Sequence, residues 1–340
     1  MTLTNIQATK DTDFPFYNPS YNLLKILFNN KLLLLWHLFA IIFIVPIRII
    51  FFLISAIIIQ LLTYPLTKNY KINPEKPDIT KPKTLKNIVR IIIWQVCRFW
   101  TLTSFGLVDL KVIGKDKLDK DCRILVAGPH SGIYWDALLF YCFPEVSPIS
   151  STWLIDWPFF GRIYKSLECL FYDKDCKKFI NDESFKTDYT TQIKNRLESN
   201  HWKSNKLLFF PEGTMSNGRA LAKFQVGAFV HKKSVQPIRI EIDWPFMKEF
   251  SGVFPGCWLW ISNSFVLSTL LTMCQPWFKV RFIVLDCYHP SEVEKNYPEL
   301  FARNVQKVIA AGTLELSNHL ICTDFIMRVT SRVTCSKSDF

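Results

Sequence analysis

Apolar residues run almost without a break over positions 32–66, where the main interruptions are His37, Pro46, Arg48 and Gln60. About 20 apolar residues cross a bilayer core as one helix, so this run is too long for one span and too short for two spans with a loop. A single span over 49–66 and a bent helical hairpin that dips into one leaflet both fit, and a buried pair of core helices is a third alternative. Because a charge at bilayer depth is costly, we expect Arg48 to lie near an interface or to snorkel.

The stretches on either side of this apolar run are polar. Residues 1–30 lack the basic-then-apolar pattern of a signal peptide, and residues 68–90 carry seven basic residues against two acidic ones. A positive flank after an apolar segment is typical of the cytosolic side, and Pro74, Pro77 and Pro82 predict an extended linker. That linker either attracts anionic lipid headgroups or is simply solvated. The predicted organisation is a polar arm (1–30), a membrane anchor (31–67), a basic linker (68–90), a main domain (91–328) and a loose tail (329–340).

Two short apolar runs in the main domain predict buried strands that each end in a polar cluster. The run 207–210 stops at Pro211, since proline is tolerated only at a strand end or edge, and Glu212 and Gly213 follow. The run 123–128 ends in Gly-Pro, and His130 follows at once. Open α/β sheets bind ligands at the carboxyl ends of their strands, so both clusters hold candidate site residues.

Further segments extend this α/β pattern. Residues 107–113, 235–241 and 280–286 are strand-like, with Pro237 at a position that an edge or end strand accepts. Apolar positions recur every four residues from Phe185 to Leu197, which predicts a helix on the sheet. Residues 298–311 predict another helix, with proline in its first turn and glycine beyond its end, and residues 258–277 favour an interfacial helix. The fold class is therefore α/β, with a central sheet flanked by helices.

Composition narrows the choice of partners. The chain has 340 residues, a net charge of +12, 49% apolar residues and 29 Phe. Nucleic acid and anionic membrane surfaces are the usual partners for such a charge, and the apolar surplus without nucleic-acid-binding motifs favours the membrane. The ten cysteines lack the paired spacing of a disulfide scaffold or a zinc site. We therefore expect a membrane partner, no nucleic acid, no metal and no bound cofactor.

The two polar clusters carry residue types that suit acid–base chemistry on a polar lipid head. The pKa of an unperturbed histidine lies nearest neutrality, so His130 is a natural general base. A hydrogen bond from the second ring nitrogen to Asp136 would fix the tautomer and stabilise the imidazolium. Glu212 lies beside a glycine and the hydroxyls of Thr214 and Ser216, which suits a polyol or a phosphate. A single cluster of this kind is more often structural, but two of them favour a site.

Four ordered motifs make the chain resemble the glycerolipid acyltransferases, which esterify glycerol-phosphate lipids from acyl-CoA. The motifs are Pro129-His130-Ser131 with Asp136, Gly161 with residues 170–174, residues 210–214 and residues 235–238. Residues 216–219, 224–229 and 288–295 are further similar to the lysophosphatidylcholine acyltransferase branch. The resemblance covers residues 17–325. It implies a glycerolipid acyltransferase-like central mixed sheet flanked by helices, with an N-terminal apolar helical membrane anchor.

The resemblance also implies the roles of individual residues. His130 would remove the proton from the lipid hydroxyl, and Asp136 would orient His130. Six further positions would bind substrate, the first five at the glycerol-phosphate part and the last on the acyl-donor side: Lys174, Glu212, Gly213, Thr214, Arg219 and Pro237. The implied substrates are acyl-CoA and a lysophospholipid, foremost lysophosphatidylcholine, at the endoplasmic reticulum membrane with the catalytic domain in the cytosol. Acylation of lysophosphatidic acid or glycerol-3-phosphate is one alternative, and a non-catalytic lipid-binding membrane protein is another.

Two positions depart from the family pattern. Five residues separate His130 from Asp136 where the family has four, and Met215 stands where many members have a basic residue. Each residue added to a regular helix turns a side chain by about 100°, so three outcomes are open. A bulge at Gly132 absorbs the residue, Glu212 replaces Asp136 as the partner of the imidazole, or His130 has no partner. The first outcome requires an Asp136 oxygen within roughly 3.2 Å of a His130 ring nitrogen.

Overall fold

The computed structural model describes residues 30–68, 83–130, 133–151, 154–155, 157, 160–172, 189–198, 206–216, 220–243, 265–311 and 321–322. The predicted polar arm, most of the basic linker and the C-terminal tail lie outside the described residues. The five segment boundaries therefore stay predictions.

A long apolar helix forms the N-terminal part of the described chain. It consists of α1 (Lys31–Phe39), a π-helical stretch (Ala40–Ile44) and α2 (Val45–Thr67), with no turn between them. The side chain of Asn30 caps its first turn by accepting a hydrogen bond from the backbone N–H of Leu33 at 3.1 Å. The π-helical stretch ends just before Pro46, whose missing N–H is a common cause of such irregularities. The structure thus shows a continuous helix with an irregular middle, in place of a hairpin of two helices.

Most of this helix is exposed. The helix has 37 residues. Its most apolar stretch of 18 residues has a mean hydropathy of 2.9, and only 11% of that stretch is buried. A helix in the core of a soluble protein would be largely buried, so the alternative of a core helix pair is disfavoured. By length and composition the helix is a candidate membrane anchor.

Seven strands in the described part of the chain form one mixed sheet, in the order β1-β8-β7-β2-β5-β3-β4. All neighbouring pairs are parallel except β7 with β8, which is antiparallel. The strands are β1 (Leu107–Ile113), β2 (Ile124–Gly128), β3 (Val146–Ser151), β4 (Leu170–Tyr172), β5 (Lys206–Phe209), β7 (Gln236–Asp243) and β8 (Phe278–Val284). Two short strands, β6 (Ala220–Leu221) and β9 (Ile321–Cys322), pair separately. The expected central mixed sheet is confirmed.

Helices cover both faces of the sheet. They are α3 (Lys83–Phe105), α4 (Ile133–Cys142), α5 (Phe160–Ser166), α6 (Tyr189–Glu198), α7 (Phe265–Met273), α8 (Glu292–Asn296) and α9 (Pro298–Ala311). Side chains alternate between the two faces of a strand, and β2 shows this directly. Leu125 and Ala127 pack with the N-terminal helix, α3 and α4, whereas Ile124 and Val126 pack with α6 and α9.

Two expectations about local structure require correction. Helix α3 begins at Lys83, so the last part of the predicted linker is helical. The reason is that the prolines end at Pro82, after which no residue prevents a helix. Strand β7 lies between β8 and β2 and is not an edge strand. It tolerates Pro237 because this residue stands near its start, before the antiparallel ladder with β8 begins at Ile238.

Arg48 binds the end of helix α7, and its expected place near a membrane interface stays a prediction. Its guanidinium donates to the carbonyl oxygens of Met273 at 2.7 Å and Pro276 at 3.1 Å, and also to that of Gln275. Trp36 donates from Nε1 to the neighbouring Cys274 carbonyl at 2.8 Å. The last carbonyls of a helix lack partners within it, and a cation there is favourable. The apolar helix is therefore docked onto the domain.

Candidate active site

The two polar clusters are adjacent because β2 and β5 are parallel neighbours. Their register places Val126 opposite Phe209, so the loop after Gly128 and the turn after Phe209 leave the sheet at the same edge. This is the carboxyl edge at which open α/β sheets bind ligands. The clusters around His130 and Glu212 therefore lie next to each other.

His130 and Asp136 form a hydrogen-bonded pair. His130 Nδ1 lies 2.6 Å from Asp136 Oδ2, which is short enough for a charge-assisted bond. Asp136 is 5% exposed and stands in the first turn of α4. The distance corresponds to the first of the three outcomes, so the additional residue does not separate the pair. Gly132, the expected site of the bulge, lies outside the described residues, and the catalytic roles stay predictions.

The imidazole ring of His130 packs against Phe210 on one face, and its Nε2 atom is open. The ring of Phe210 stacks on it with a centroid distance of 4.2 Å and an interplanar angle of 23°. Among the residues that the structure describes, none hydrogen-bonds Nε2, and the His130 side chain is 23% exposed. In the tautomer in which Nδ1 donates to Asp136, Nε2 carries the lone pair. The geometry therefore leaves a proton acceptor facing outward from an oriented ring.

Glu212 is buried beneath this pair. Its Oε1 accepts the backbone N–H of His130 at 2.6 Å, and its Oε2 accepts that of Ala222 at 2.9 Å. Burial raises the pKa of Glu212 to about 7, while the hydrogen bonds from His130 and Ala222 oppose the shift. The carboxylate is 4% exposed. Its expected role in binding substrate stays a prediction.

The residues after Glu212 form a tight turn. Gly213 has a φ of +69°, a left-handed conformation that favours glycine, and it is exposed. Thr214 and Met215 are half-buried, and Ser216 donates its backbone N–H to the His130 carbonyl at 2.7 Å. Gly213 and Thr214 thus belong to the turn that contacts His130, and their role in binding substrate stays a prediction.

Three predicted substrate-binding residues are not placed at the site. Lys174 and Arg219 lie outside the described residues. Pro237 is buried within the sheet, paired in register with Val126 of β2. Its predicted effect on the acyl-donor side could therefore act only through the shape of the strand.

Sequence reasoning missed two contributors to the site. Phe210 belongs to the predicted buried strand 207–210, which gives its ring no role in the site. The contact of the Ala222 backbone N–H cannot be recognised from the type of residue. The position of Phe210 directly before Pro211 could have suggested the first, because proline ends the strand and leaves the preceding side chain at the sheet edge. In the described part of the chain, no group of three or more His, Cys, Asp or Glu side chains could hold a metal ion.

The sequence around His130 matches a known protein family. Residues 109–241 match the family described as Acyltransferase, and the matched region includes His130, Asp136 and Glu212. The resemblance to the glycerolipid acyltransferases is thereby confirmed.

Particular relatives belong to the lysophospholipid branch. Lysophosphatidylcholine acyltransferase 1 of Rattus norvegicus is 28% identical over 271 residues, which are 78% of this chain and 46% of that protein. Lysophospholipid acyltransferase LPCAT4 of Homo sapiens is 30% identical over 206 residues, which are 60% of this chain and 36% of that protein. The chain thus spans less than half the length of these relatives.

The chain also aligns with a solved structure. It is the 1-acyl-sn-glycerophosphate (LPA) acyltransferase, PlsC, from Thermotoga maritima, with a TM-score of 0.44 and 16% identity. The similarity covers 77% of this chain and 100% of that chain.

Proposed function

We propose that this protein transfers an acyl group from acyl-CoA to the free hydroxyl of a lysophospholipid, with lysophosphatidylcholine as the first candidate. The observation that carries the proposal is the His130–Asp136 pair at 2.6 Å, with Nε2 of the ring open. The similarity to lysophosphatidylcholine and lysophospholipid acyltransferases supports this choice of substrate.

In the proposed mechanism, His130 acts as general base. Nε2 takes the proton from the lysolipid hydroxyl while the oxygen attacks the thioester carbonyl, because an alcohol is a poor nucleophile at neutral pH. The new ester bond forms, the carbon–sulfur bond of the thioester breaks, and the proton passes from the imidazolium to the coenzyme A sulfur. The Asp136 carboxylate stabilises the transient imidazolium through Nδ1. The sequence has no Gly-x-Ser-x-Gly nucleophile elbow, so the mechanism involves no acyl-enzyme.

We further infer that an exposed apolar face, which we call the membrane face, holds the domain on a bilayer. It comprises exposed side chains of the N-terminal helix and α3, among them Leu35, Ile42, Leu53, Ile57, Leu61, Ile91, Phe99 and Leu102. Contiguous apolar surface of this kind marks an interaction site. Because the helix is docked through Arg48, the membrane face and the sheet edge would move as one body. Location at the endoplasmic reticulum with the domain in the cytosol remains part of the proposal.

Acyl transfer is tested with purified full-length protein, labelled acyl-CoA and a lysolipid panel. The panel contains choline, ethanolamine and free-phosphate lysolipids together with glycerol-3-phosphate. Transfer that is fastest to lysophosphatidylcholine supports the proposal, and transfer confined to lysophosphatidic acid or glycerol-3-phosphate supports the alternative acceptors. An absence of transfer to every acceptor would leave the non-catalytic lipid-binding protein as the better hypothesis.

The membrane face is tested by flotation of the full-length protein with phospholipid vesicles. The double substitution Ile57→Glu with Leu61→Glu places two charges on the face and should reduce the floated fraction. Val293→Glu is the matched control, since Val293 is also an exposed apolar residue but lies in α8. Equal flotation of all three proteins would contradict the assignment.

A further inference from the structure

The Glu212 carboxylate joins two separate backbone segments. Each of its oxygens accepts one N–H, from His130 after β2 and from Ala222 after β6. The Ser216 hydroxyl adds a third hydrogen bond to the same carboxylate. A substrate ligand needs an accessible polar atom, whereas this carboxylate is 4% exposed and fully surrounded by donors of its own chain. We call this arrangement, in which the Glu212 carboxylate binds the backbone N–H groups of His130 and Ala222, the clamp.

The peptide group on each side of the His130 Cα atom is held by the same turn. The N–H donates to Glu212 at 2.6 Å, and the carbonyl accepts from the N–H of Ser216 at 2.7 Å. The turn 212–216 therefore fixes the backbone from which the imidazole projects. Phe210, which precedes the turn, fixes the plane of the ring from the other side.

Gly128, the last residue of β2, lies next to this clamp. A Cβ atom added to Gly128 would lie 3.1 Å from Leu221 Cδ2 and 3.9 Å from Glu212 Oε1. The close contact is with Leu221, so the end of β2 passes near this side chain because a glycine stands there, while the distance to Glu212 is an ordinary van der Waals contact. Glycine is common where backbone must approach another group closely.

We propose that Glu212 is a positioning residue, which holds the His130 backbone so that Nε2 meets the lysolipid hydroxyl, and which does not itself bind the lipid. This inference rests on the proposed function and changes the role that the motif resemblance implies for Glu212. Small displacements of a reacting group are costly: an error of about 1 Å can reduce a rate roughly 10²-fold. A loss of the clamp should therefore lower kcat and leave lysolipid binding intact.

The test is the isosteric substitution Glu212→Gln. Its amide has one acceptor and one donor group, and the NH₂ group would face a backbone N–H, so one of the two clamp bonds is lost. At about pH 8, where an ordinary carboxyl group is ionised, we expect kcat to fall about 10²-fold and the KM for lysolipid to change less than about twofold. If Glu212→Gln fails to fold, Glu212→Asp keeps the charge but cannot reach both N–H groups, and the same split is expected.

Glu294→Gln is the matched control. Glu294 is also a buried carboxylate, and it accepts from the Tyr288 hydroxyl at 2.6 Å, from Asn304 at 2.8 Å and from the Ser291 N–H. It caps α8 away from the His130 pair. Loss of this carboxylate should lower thermal stability and leave kcat unchanged, which separates a general packing effect from positioning.

A second readout does not depend on activity. Hydrogen exchange measured by mass spectrometry should be faster in the peptides that contain His130 and Ala222 when Glu212 is replaced by Gln, and unchanged with Glu294→Gln. A raised lysolipid KM with wild-type kcat, or unchanged exchange at both peptides, would overturn the proposal while the acyltransferase function stands. If the wild-type protein transfers no acyl group, the proposed function fails, and exchange alone then decides whether the clamp exists.

Discussion

Arg48 provides a quantitative prediction about how the apolar helix is attached. We predict that Arg48→Met, which removes the guanidinium but keeps an apolar stem, destabilises the protein by about 3–4 kcal/mol. Arg48 donates to the carbonyls of Met273, Gln275 and Pro276 at the end of α7. Hydrogen bonds from a charged donor contribute roughly 1.5–3 kcal/mol each, and a cation at a helix C-terminus adds about 0.3–1 kcal/mol. Two such bonds at the lower end of that range, together with the helix contribution, give the predicted value.

The assay is thermal unfolding of the full chain in detergent, followed by tryptophan fluorescence. For a protein of this size, the predicted loss corresponds to a fall in Tm of roughly 4–6 °C. Arg98→Met is the control, because exposed Arg98 makes one hydrogen bond, to the Tyr141 hydroxyl at 2.9 Å. The control should shift stability by no more than about 0.5 kcal/mol. Equal Tm values for Arg48→Met and the wild type would refute the docking of the helix through this contact.

Three further predictions concern the site. Asp136→Asn should lower kcat at least about 10²-fold with little change in KM, since the neutral amide no longer stabilises the imidazolium; a wild-type rate would exclude the pair. Phe210→Leu should lower kcat roughly 3–10-fold, as expected for an aromatic contact of about 0.5–1.5 kcal/mol, and unchanged kinetics would show that stacking is incidental. The pKa of Glu212 is raised to about 7 in the folded state, so its contribution to stability is complete below about pH 4.5 and falls by about 3 kcal/mol as the pH rises to 7. Denaturant titrations should show this slope, and its persistence in Glu212→Gln would contradict the assignment.

The sequence predicts the sheet and its two site strands well because their signals are local. The runs before Pro129 and Pro211 are short, apolar and stopped by proline, and the strand over Leu107–Ile113 alternates visibly. Helix α9 (Pro298–Ala311) has a proline in its first turn and a glycine just beyond its end in the sequence, and it occurs with the predicted bounds. Local sequence therefore suffices where one element carries its own start and stop signals.

Other features depend on contacts between distant residues and were not predictable. The partner of Arg48 lies 225 positions further along the chain, at Met273, and a local hydropathy argument can assign it only to a membrane interface. Likewise, a glutamate at position 212 suggests a ligand for a head group. The sequence does not show that its buried carboxylate accepts the backbone N–H groups of His130 and Ala222. The pairing of His130 with Asp136 required the structure, because residue spacing alone left three geometries open.

The most direct test of the account is the rate of acyl transfer by His130→Ala. The variant and the wild type are compared at saturating acyl-CoA and lysophosphatidylcholine, with thermal unfolding measured in parallel. We predict a fall in kcat of at least about 10²-fold with a similar Tm, because the imidazole is partly exposed and its removal leaves the backbone clamp in place. Retention of more than about a tenth of the wild-type rate, where a general base supplies roughly 10²–10⁴-fold, would contradict the assignment of His130 as the general base.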